Sequence, residues 1–155
     1  MIFETENFVA LIKEKPFVDR DEGGTIIIEC KLDVKDRTSL TPAQAVEFSF
    51  ITTLVGEAYT VAMRKQGVDI IRLNYQEMGN WYYKTKTKEH CHVYIFGRVL
   101  GAKHQPFPEA VYLPDRSTGF YDDFKPLTNK DKLAIKKEIS QLIETDKYKK
   151  ENWRL

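Results

Sequence analysis

The sequence predicts an α+β domain, a mainly antiparallel sheet with helices packed against it. Two observations predict this class. Short runs rich in β-branched residues are bounded by turn residues, and two longer segments repeat their apolar residues every three or four positions. In chain order the segments read strand, strand, helix, strand, strand, long connection and helix. Such an order favours a mainly antiparallel sheet with the helices packed against it.

The first part of the chain is predicted to contain two strands. A short strand from Phe8 to Ile12 ends at Lys15-Pro16, and Thr25 to Lys31 forms a second, strongly β-branched strand. Between them, residues 19–24 read Asp-Arg-Asp-Glu-Gly-Gly. These acidic residues lack the spacing of an EF-hand calcium loop, so we expect a solvated turn.

Capping signals mark the start of both predicted helices. Thr41 is the expected N-cap of the first, with Pro42 as its first residue and Gln44 as the reciprocal partner of a capping box, and Gly67 ends it. Thr128 is expected to cap the last helix. The predicted core faces are Val46, Phe50, Leu54, Ala58, Val61 and Ala62 in the first helix, and Leu133, Ile135, Ile139, Leu142 and Ile143 in the last.

Two further strands and a long connection lie between these helices. Val68 to Tyr75 and His90 to Arg98 are the strands, joined by the polar segment from Gln76 to Lys88. The connection from Gly101 to Pro126 is rich in proline, aspartate and aromatic residues. A connection of this length is uncommon unless it packs on itself or serves a site. We expect it to be ordered and to flank the functional site or an oligomer contact.

Composition limits the classes of function. The 155 residues fit one domain over positions 1–155, and the net charge of +1 provides no overall basic field for nucleic acid. No signal peptide or long apolar run is seen, which predicts a cytoplasmic protein without membrane attachment. Cys30 and Cys91 are too few for a disulfide framework and fit a reducing compartment.

The most informative residues are two histidines in the last predicted strand. Side chains two positions apart in a strand share one face, so His90 and His92 should stand side by side with Tyr94 next in the row. One interpretation is that they simply pack in a sheet. A second is metal binding, in which a catalytic zinc site would need a third protein ligand. His104, Asp33 and Glu89 are the candidates for that ligand.

A third interpretation is covalent catalysis at phosphorus. A neutral imidazole can attack a phosphoryl group if one ring nitrogen is free and the other donates to a fixed acceptor. Donors are also needed around the phosphoryl oxygens. The segment Lys84-Thr85-Lys86-Thr87-Lys88, just before the histidines, offers ammonium, hydroxyl and backbone N–H donors.

The run His90-Cys91-His92-Val93-Tyr94-Ile95-Phe96 resembles the motif of the histidine triad (HIT) superfamily of nucleotide hydrolases and transferases. That motif is His-x-His-x-His followed by two apolar residues. The preceding strands, helix and polar loop come in the family's order, and the resemblance covers about residues 5–100, leaving residues 101–155 as the long connection and C-terminal helix. It implies a HIT-like fold, an antiparallel sheet of five strands with two main helices, no cofactor or bound metal, and a homodimer.

The resemblance also implies residue roles. The middle histidine of the motif is the nucleophile, which corresponds to His92, and the first supports it partly through its backbone carbonyl, which corresponds to His90. The third position binds a phosphoryl oxygen. Here it is Tyr94, a departure from the motif, although the uridylyltransferase branch also has a non-histidine residue, glutamine, at this place. A hydroxyl three residues before the first histidine contacts phosphate, and Thr87 occupies that position.

Other expected substrate contacts follow from the loop. The usual Gly-Gln before that hydroxyl is replaced by Thr85-Lys86, which puts a cation, Lys86, where a polyphosphate tail would lie. A family asparagine after the preceding strand corresponds to Asn74 or Asn80. An aromatic residue of the run Trp81-Tyr82-Tyr83 stacks on a nucleobase, or the run packs the loop onto the sheet or a partner subunit.

The implied activity is cleavage of a phosphoanhydride or phosphoramidate bond in a nucleotide or dinucleotide, through a nucleotidyl group carried on His92. Two alternatives stay open. One is a degenerate HIT domain that binds nucleotides without turnover, which Tyr94 and the missing Gly-Gln favour. The other is a metal-dependent hydrolase with His90 and His92 as ligands.

Overall fold

A computed structural model describes all residues, 1–155, and shows the expected α+β architecture. The strands are β1 (Phe3–Glu4), β2 (Phe8–Ile12), β3 (Thr25–Cys30), β4 (Arg72–Gln76) and β5 (His92–Arg98), and the helices are α1 (Pro42–Lys65), α2 (Tyr82–Thr85), α3 (Asn129–Leu142) and α4 (Lys150–Trp153). Four short 3-10 turns lie at Arg20–Glu22, Arg37–Ser39, Arg116–Thr118 and Asp146–Tyr148. The two main helices are α1 and α3. No helix combines the length and the apolar character needed to cross a bilayer.

The five strands form one antiparallel sheet in the order β1-β2-β3-β5-β4. The β-branched run of β3 therefore lies at the centre, between β2 and β5. Because side chains alternate along a strand, each central strand presents one row to each face. One row from each central strand joins the main core under α1 and α3: Ile26, Ile28 and Cys30 from β3, and Val93 and Ile95 from β5.

The predicted helix caps are confirmed. The Thr41 hydroxyl accepts from the Gln44 N–H, and the Gln44 side chain accepts from the Thr41 N–H, which is the expected capping box. Thr128 caps α3 in the same way, with Asp131 as its partner. The predicted core faces are correct only in part, since Leu133 is 67% exposed and Val46 is 37% exposed.

Several strand boundaries differ from the sequence prediction. The strand expected from Val68 begins at Arg72, since Val68 and Ile70 are buried in a connection that precedes the ladder. The strand expected from His90 begins at His92, and the one expected to reach Lys31 ends at Cys30.

The expectation of a solvated turn at residues 19–24 is wrong. The side chains of Asp19 and Glu22 are largely buried, and both carboxylates accept hydrogen bonds from backbone N–H groups that are distant in the sequence. Asp19 accepts from the Lys125 N–H, at 2.7 Å. Glu22 accepts from the N–H groups of residues 103–105, at 2.8 to 3.2 Å.

The connection of residues 101–126 packs over the sheet face opposite to α1. Its residues Val111, Tyr121 and Phe124 form a second apolar cluster with Phe17, Val18 and Phe96. Gln105 is buried beneath it, donating to the Phe17 carbonyl at 3.0 Å and exchanging two hydrogen bonds with the Tyr112 backbone. The connection thus forms one wall of the open side of the sheet.

Candidate active site

The candidate site lies on the sheet face that α1 does not cover. The β3–β5 register places His92 opposite Glu29 and Tyr94 opposite Ile27. Since residues directly opposite in a ladder share a face, all four side chains project to this side. His92 contacts Tyr94 edge-on, with ring centroids 5.1 Å apart. The row expected from the sequence is therefore present.

The two histidine rings lie side by side although His90 precedes the strand. Their planes differ by 17° and their centroids are 6.5 Å apart. The backbone is held on both sides of Cys91, whose N–H donates to the Val34 carbonyl and whose carbonyl accepts from the Cys30 N–H, at 2.9 and 3.0 Å. An extended path is thus maintained before the ladder begins.

A backbone hydrogen bond determines the tautomer of His92. The Nδ1 atom lies 2.8 Å from the backbone carbonyl oxygen of His90. A carbonyl oxygen only accepts, so Nδ1 carries the proton and donates. In the neutral ring the lone pair is then on Nε2, the nitrogen a nucleophilic imidazole uses when Nδ1 is occupied.

Tyr94 continues the row as a hydrogen-bond donor without charge. Its ring stacks on Phe96, with centroids 5.7 Å apart, and meets Phe17 edge-on at 5.2 Å. Burial raises the pKa of Tyr94 above its ordinary value of 10.0. The hydroxyl therefore stays protonated through the neutral range and remains able to donate.

A cleft of about 370 Å³ lies over this row. That volume is in the range of small-ligand sites. The lining residues are Lys13, Phe17, Ile27, Glu29, Met78, Gly79, Asn80, Trp81, Tyr82, Thr87, Lys88, His90, His92, Tyr94 and Leu113. Strand, loop and connection all contribute, and Leu113 comes from the long connection that was expected to flank a site.

Two of the expected substrate contacts lie outside the cleft. The Asn74 side chain accepts a hydrogen bond from Arg98 at 2.7 Å, and Arg98 is itself buried under the long connection. Lys86 adopts a left-handed backbone conformation after α2 and is exposed. Asn80 and Thr87, in contrast, line the cleft beside the histidines. The cleft thus gives a place to Asn80 and Thr87 and none to Asn74 and Lys86.

The lysine-rich loop holds fewer free cations than its sequence indicates. Lys84 pairs with Asp115 at 2.8 Å, and Lys88 pairs with Asp33. The hydroxyls of Thr85 and Thr87 lie 2.8 Å apart, in hydrogen-bond contact. Two of the three lysines are therefore partly neutralised by carboxylates, and Thr87 is oriented by its neighbour.

The residues weighed as a third metal ligand are engaged elsewhere. His104 Nδ1 lies 2.8 Å from the Glu22 carboxylate, and Glu89 forms an ion pair with Lys35 at 3.3 Å. Asp33, as described, pairs with Lys88. Nowhere do three His, Cys, Asp or Glu side chains converge as metal ligands would.

Sequence reasoning missed several residues that line the cleft, among them two with a charge and one aromatic residue. Lys13 and Phe17 follow β2, and Glu29 comes from the central strand. Alternation along β3 would have found Glu29, because it stands on the same face as Ile27. Trp81 packs nearly perpendicular to Phe17, with ring centroids 5.7 Å apart, and also lines the cleft.

Solved structures share this fold. A hypothetical histidine triad nucleotide-binding protein from Sulfolobus tokodaii superposes with a TM-score of 0.59 at 17% identity, over 92% of this chain and 84% of that one. A Hit-like protein involved in cell-cycle regulation from Bartonella henselae gives 0.56 at 12% identity, over 88% and 84%. A Zn-bound histidine triad family protein from Mycobacterium smegmatis gives 0.52 at 21% identity, over 91% and 84%.

At the level of sequence, no protein-family model and no curated protein matches the chain. The sequence identity to the three solved structures is low, so their similarity to this chain is one of architecture. It shows that the chain has the HIT-like fold: an antiparallel sheet of five strands with two main helices.

Proposed function

We propose that this protein is a nucleotide hydrolase or nucleotidyl transferase that acts through a nucleotidyl group carried on His92. The substrate is a nucleotide or dinucleotide with a phosphoanhydride or phosphoramidate bond. The observation that carries the proposal is the 2.8 Å hydrogen bond between His92 Nδ1 and the His90 carbonyl, because it leaves the Nε2 lone pair for attack.

The first step forms a bond between Nε2 and phosphorus and breaks the bond from phosphorus to the leaving group. The leaving group departs with the electron pair of that bond. The imidazole ring becomes positively charged, and the His90 carbonyl stabilises that charge through the Nδ1 proton. Water then attacks the same phosphorus and loses a proton to the solvent. The bond between phosphorus and Nε2 breaks with its electron pair returning to Nε2, so His92 is released as the neutral ring and the nucleoside monophosphate leaves.

The phosphoryl oxygens need donors during both steps. The Tyr94 hydroxyl is one, since it lies next to His92 and stays protonated. The Thr87 hydroxyl and the Asn80 side chain, which line the same cleft, are the others. The aromatic side of the cleft includes Trp81, which is 37% exposed and offers a ring face for a base.

Turnover tests the proposal. Wild-type protein is incubated with adenosine phosphoramidate and with diadenosine polyphosphates, with and without a chelator, beside His92→Ala and the control His104→Ala. We expect turnover that survives the chelator, persists in His104→Ala and disappears in His92→Ala. Turnover that His92→Ala leaves intact contradicts the nucleophile assignment, and turnover lost to the chelator favours the metal-dependent alternative.

A second candidate function is nucleotide binding without turnover. The observation that favours it is Tyr94, which places a neutral phenol where the resembled motif has an imidazole. Tight binding of a nucleoside monophosphate by wild-type protein, with no product from either substrate class, would support this candidate. A Tyr94→His variant that gains turnover would show that the third position limits the rate.

We also propose that the 155 residues form one domain that works as a homodimer in the cytoplasm. One cooperative unfolding transition is expected for a single domain. Light scattering should give about twice the 18.1 kDa of the chain. The free, buried Cys30 and Cys91 fit a reducing compartment, and cell fractionation tests the location.

A further inference from the structure

Lys13 is the lysine of the cleft that no carboxylate neutralises. Two lysines line the cleft, Lys13 and Lys88, and Lys88 is paired with Asp33. Lys13 is only partly exposed, and its ammonium group lies 5.8 Å from the centre of the Tyr94 ring. An unpaired cation held over an aromatic ring beside a candidate nucleophile requires an explanation.

The strand register brings Lys13 to this position. Leu11 of β2 pairs with Ile27 of β3, which faces the cleft. Lys13 follows two residues later and keeps the same face. Its ammonium group ends above Tyr94 of β5, whose ring is 5.1 Å from that of His92.

The charge balance of the cleft explains what such a group would bind. Tyr94 can donate one hydrogen bond to a phosphoryl oxygen but adds no charge. Glu29, directly across from His92, repels an anion. An anionic phosphoryl group is thus pushed from the Glu29 side and drawn to the ammonium above Tyr94. A lysine is a mobile point charge with three donors, which suits this contact.

We infer that Lys13 binds a non-bridging oxygen of the reacting phosphoryl group above Tyr94 and supplies the positive charge that the phenol lacks. This inference rests on the proposed function, and it assigns the phosphate selectivity of that site to a residue that follows β2.

Binding separates this role from a structural one. Inorganic phosphate, the four ribonucleoside 5′-monophosphates and the four matching nucleosides are titrated calorimetrically into wild type, Lys13→Met, Lys13→Arg and the control Lys15→Met. Lys15 is exposed and lies outside the cleft. We expect Lys13→Met to weaken the best-bound monophosphate about 10- to 100-fold, the value of a charge-assisted contact, and to leave its nucleoside unchanged. Lys13→Arg should restore part of the loss.

The outcomes distinguish this inference from the proposed function. If wild type binds and turns over nucleotides but Lys13→Met binds the monophosphate as tightly as wild type, the role of Lys13 is refuted and the proposed function stands. An equal loss for nucleoside and monophosphate, or an equal loss in Lys15→Met, also refutes it. If wild type binds no monophosphate and turns over no substrate, the proposed function and the inference both fail.

Discussion

Replacing Glu22 by alanine should destabilise the protein far more than its position in a polar turn indicates. The Glu22 carboxylate accepts from the backbone N–H groups of residues 103–105 and from His104 Nδ1. Residues 103 and 104 are exposed, so water can replace the carboxylate there, but Gln105 is 1% exposed. A hydrogen bond to a charged group contributes about 1.5–3 kcal/mol. Counting the Gln105 bond in full and the others in part gives a loss of about 3 kcal/mol.

Thermal and urea unfolding measure this loss. For a domain of this size, about 3 kcal/mol corresponds to a fall in Tm of about 6–12 °C. The matched control is Asp21→Ala in the same turn, where an exposed ion pair should contribute less than about 1 kcal/mol. Equal losses in the two variants would refute the argument that the buried Glu22 carboxylate stabilises the fold by binding the backbone of residues 103–105.

The pH dependence gives an independent check. Burial raises the pKa of Glu22, but the hydrogen bonds from residues 103–105 outweigh it and hold the pKa below the ordinary value of 4.5. A lowered folded pKa means that the stabilisation is complete above 4.5 and is lost as the pH falls through the folded value. The difference in unfolding free energy between wild type and Glu22→Gln should therefore be smaller below pH 4.5 than above it. A difference that grows towards acid pH would contradict this sign.

Three further predictions concern other parts of the molecule. Asp131→Ala should lower the free energy of unfolding in urea by about 3–5 kcal/mol, because it removes a buried carboxylate from the capping box of α3 and leaves Arg20 without its two-point contact. A loss below about 1 kcal/mol would contradict the importance of that contact. Gly23→Ala should lower the free energy of unfolding by about 3 kcal/mol or more, since a Cβ there would lie 2.2 Å from a backbone carbonyl oxygen. Gly67→Ala, where the space is open, should lower it by about 1 kcal/mol. Equal Tm shifts in the two variants would show that crowding is not the cause. Tyr94→Phe should lower kcat/KM about tenfold at pH 7, because burial raises the pKa of Tyr94 above its ordinary value of 10.0 and the hydroxyl is a donor at that pH. A kcat/KM equal to that of wild type would contradict the donor role.

Local signals in the sequence carried most of the fold. The Thr41 and Thr128 caps and the strand Phe8–Ile12 depend on neighbours within a few residues, and all three are confirmed. Errors occurred where partners are distant. Leu133 fits a helical period but faces solvent, since the period does not say where the sheet lies.

The candidate site was predictable along its own strand and in the loop before it, which contributes Asn80 and Thr87 to the cleft. Spacing alone brought His90 and His92 together, but the sequence could not show that Lys84 and Lys88 meet carboxylates from other loops. Lys13 was missed for the same reason. Its approach to Tyr94 depends on the register of β2 with β3, which is set by pairing across the sheet.

The hydrogen bond from His92 ends on a main-chain oxygen, and every amino acid carries one. Position 90 can therefore change its side chain in the course of evolution while the proton on the neighbouring ring stays where it is, provided that the chain keeps its extended path between Val34 and Cys30. Selection for the tautomer then acts on the backbone conformation at Cys91, which a sequence alignment does not reveal.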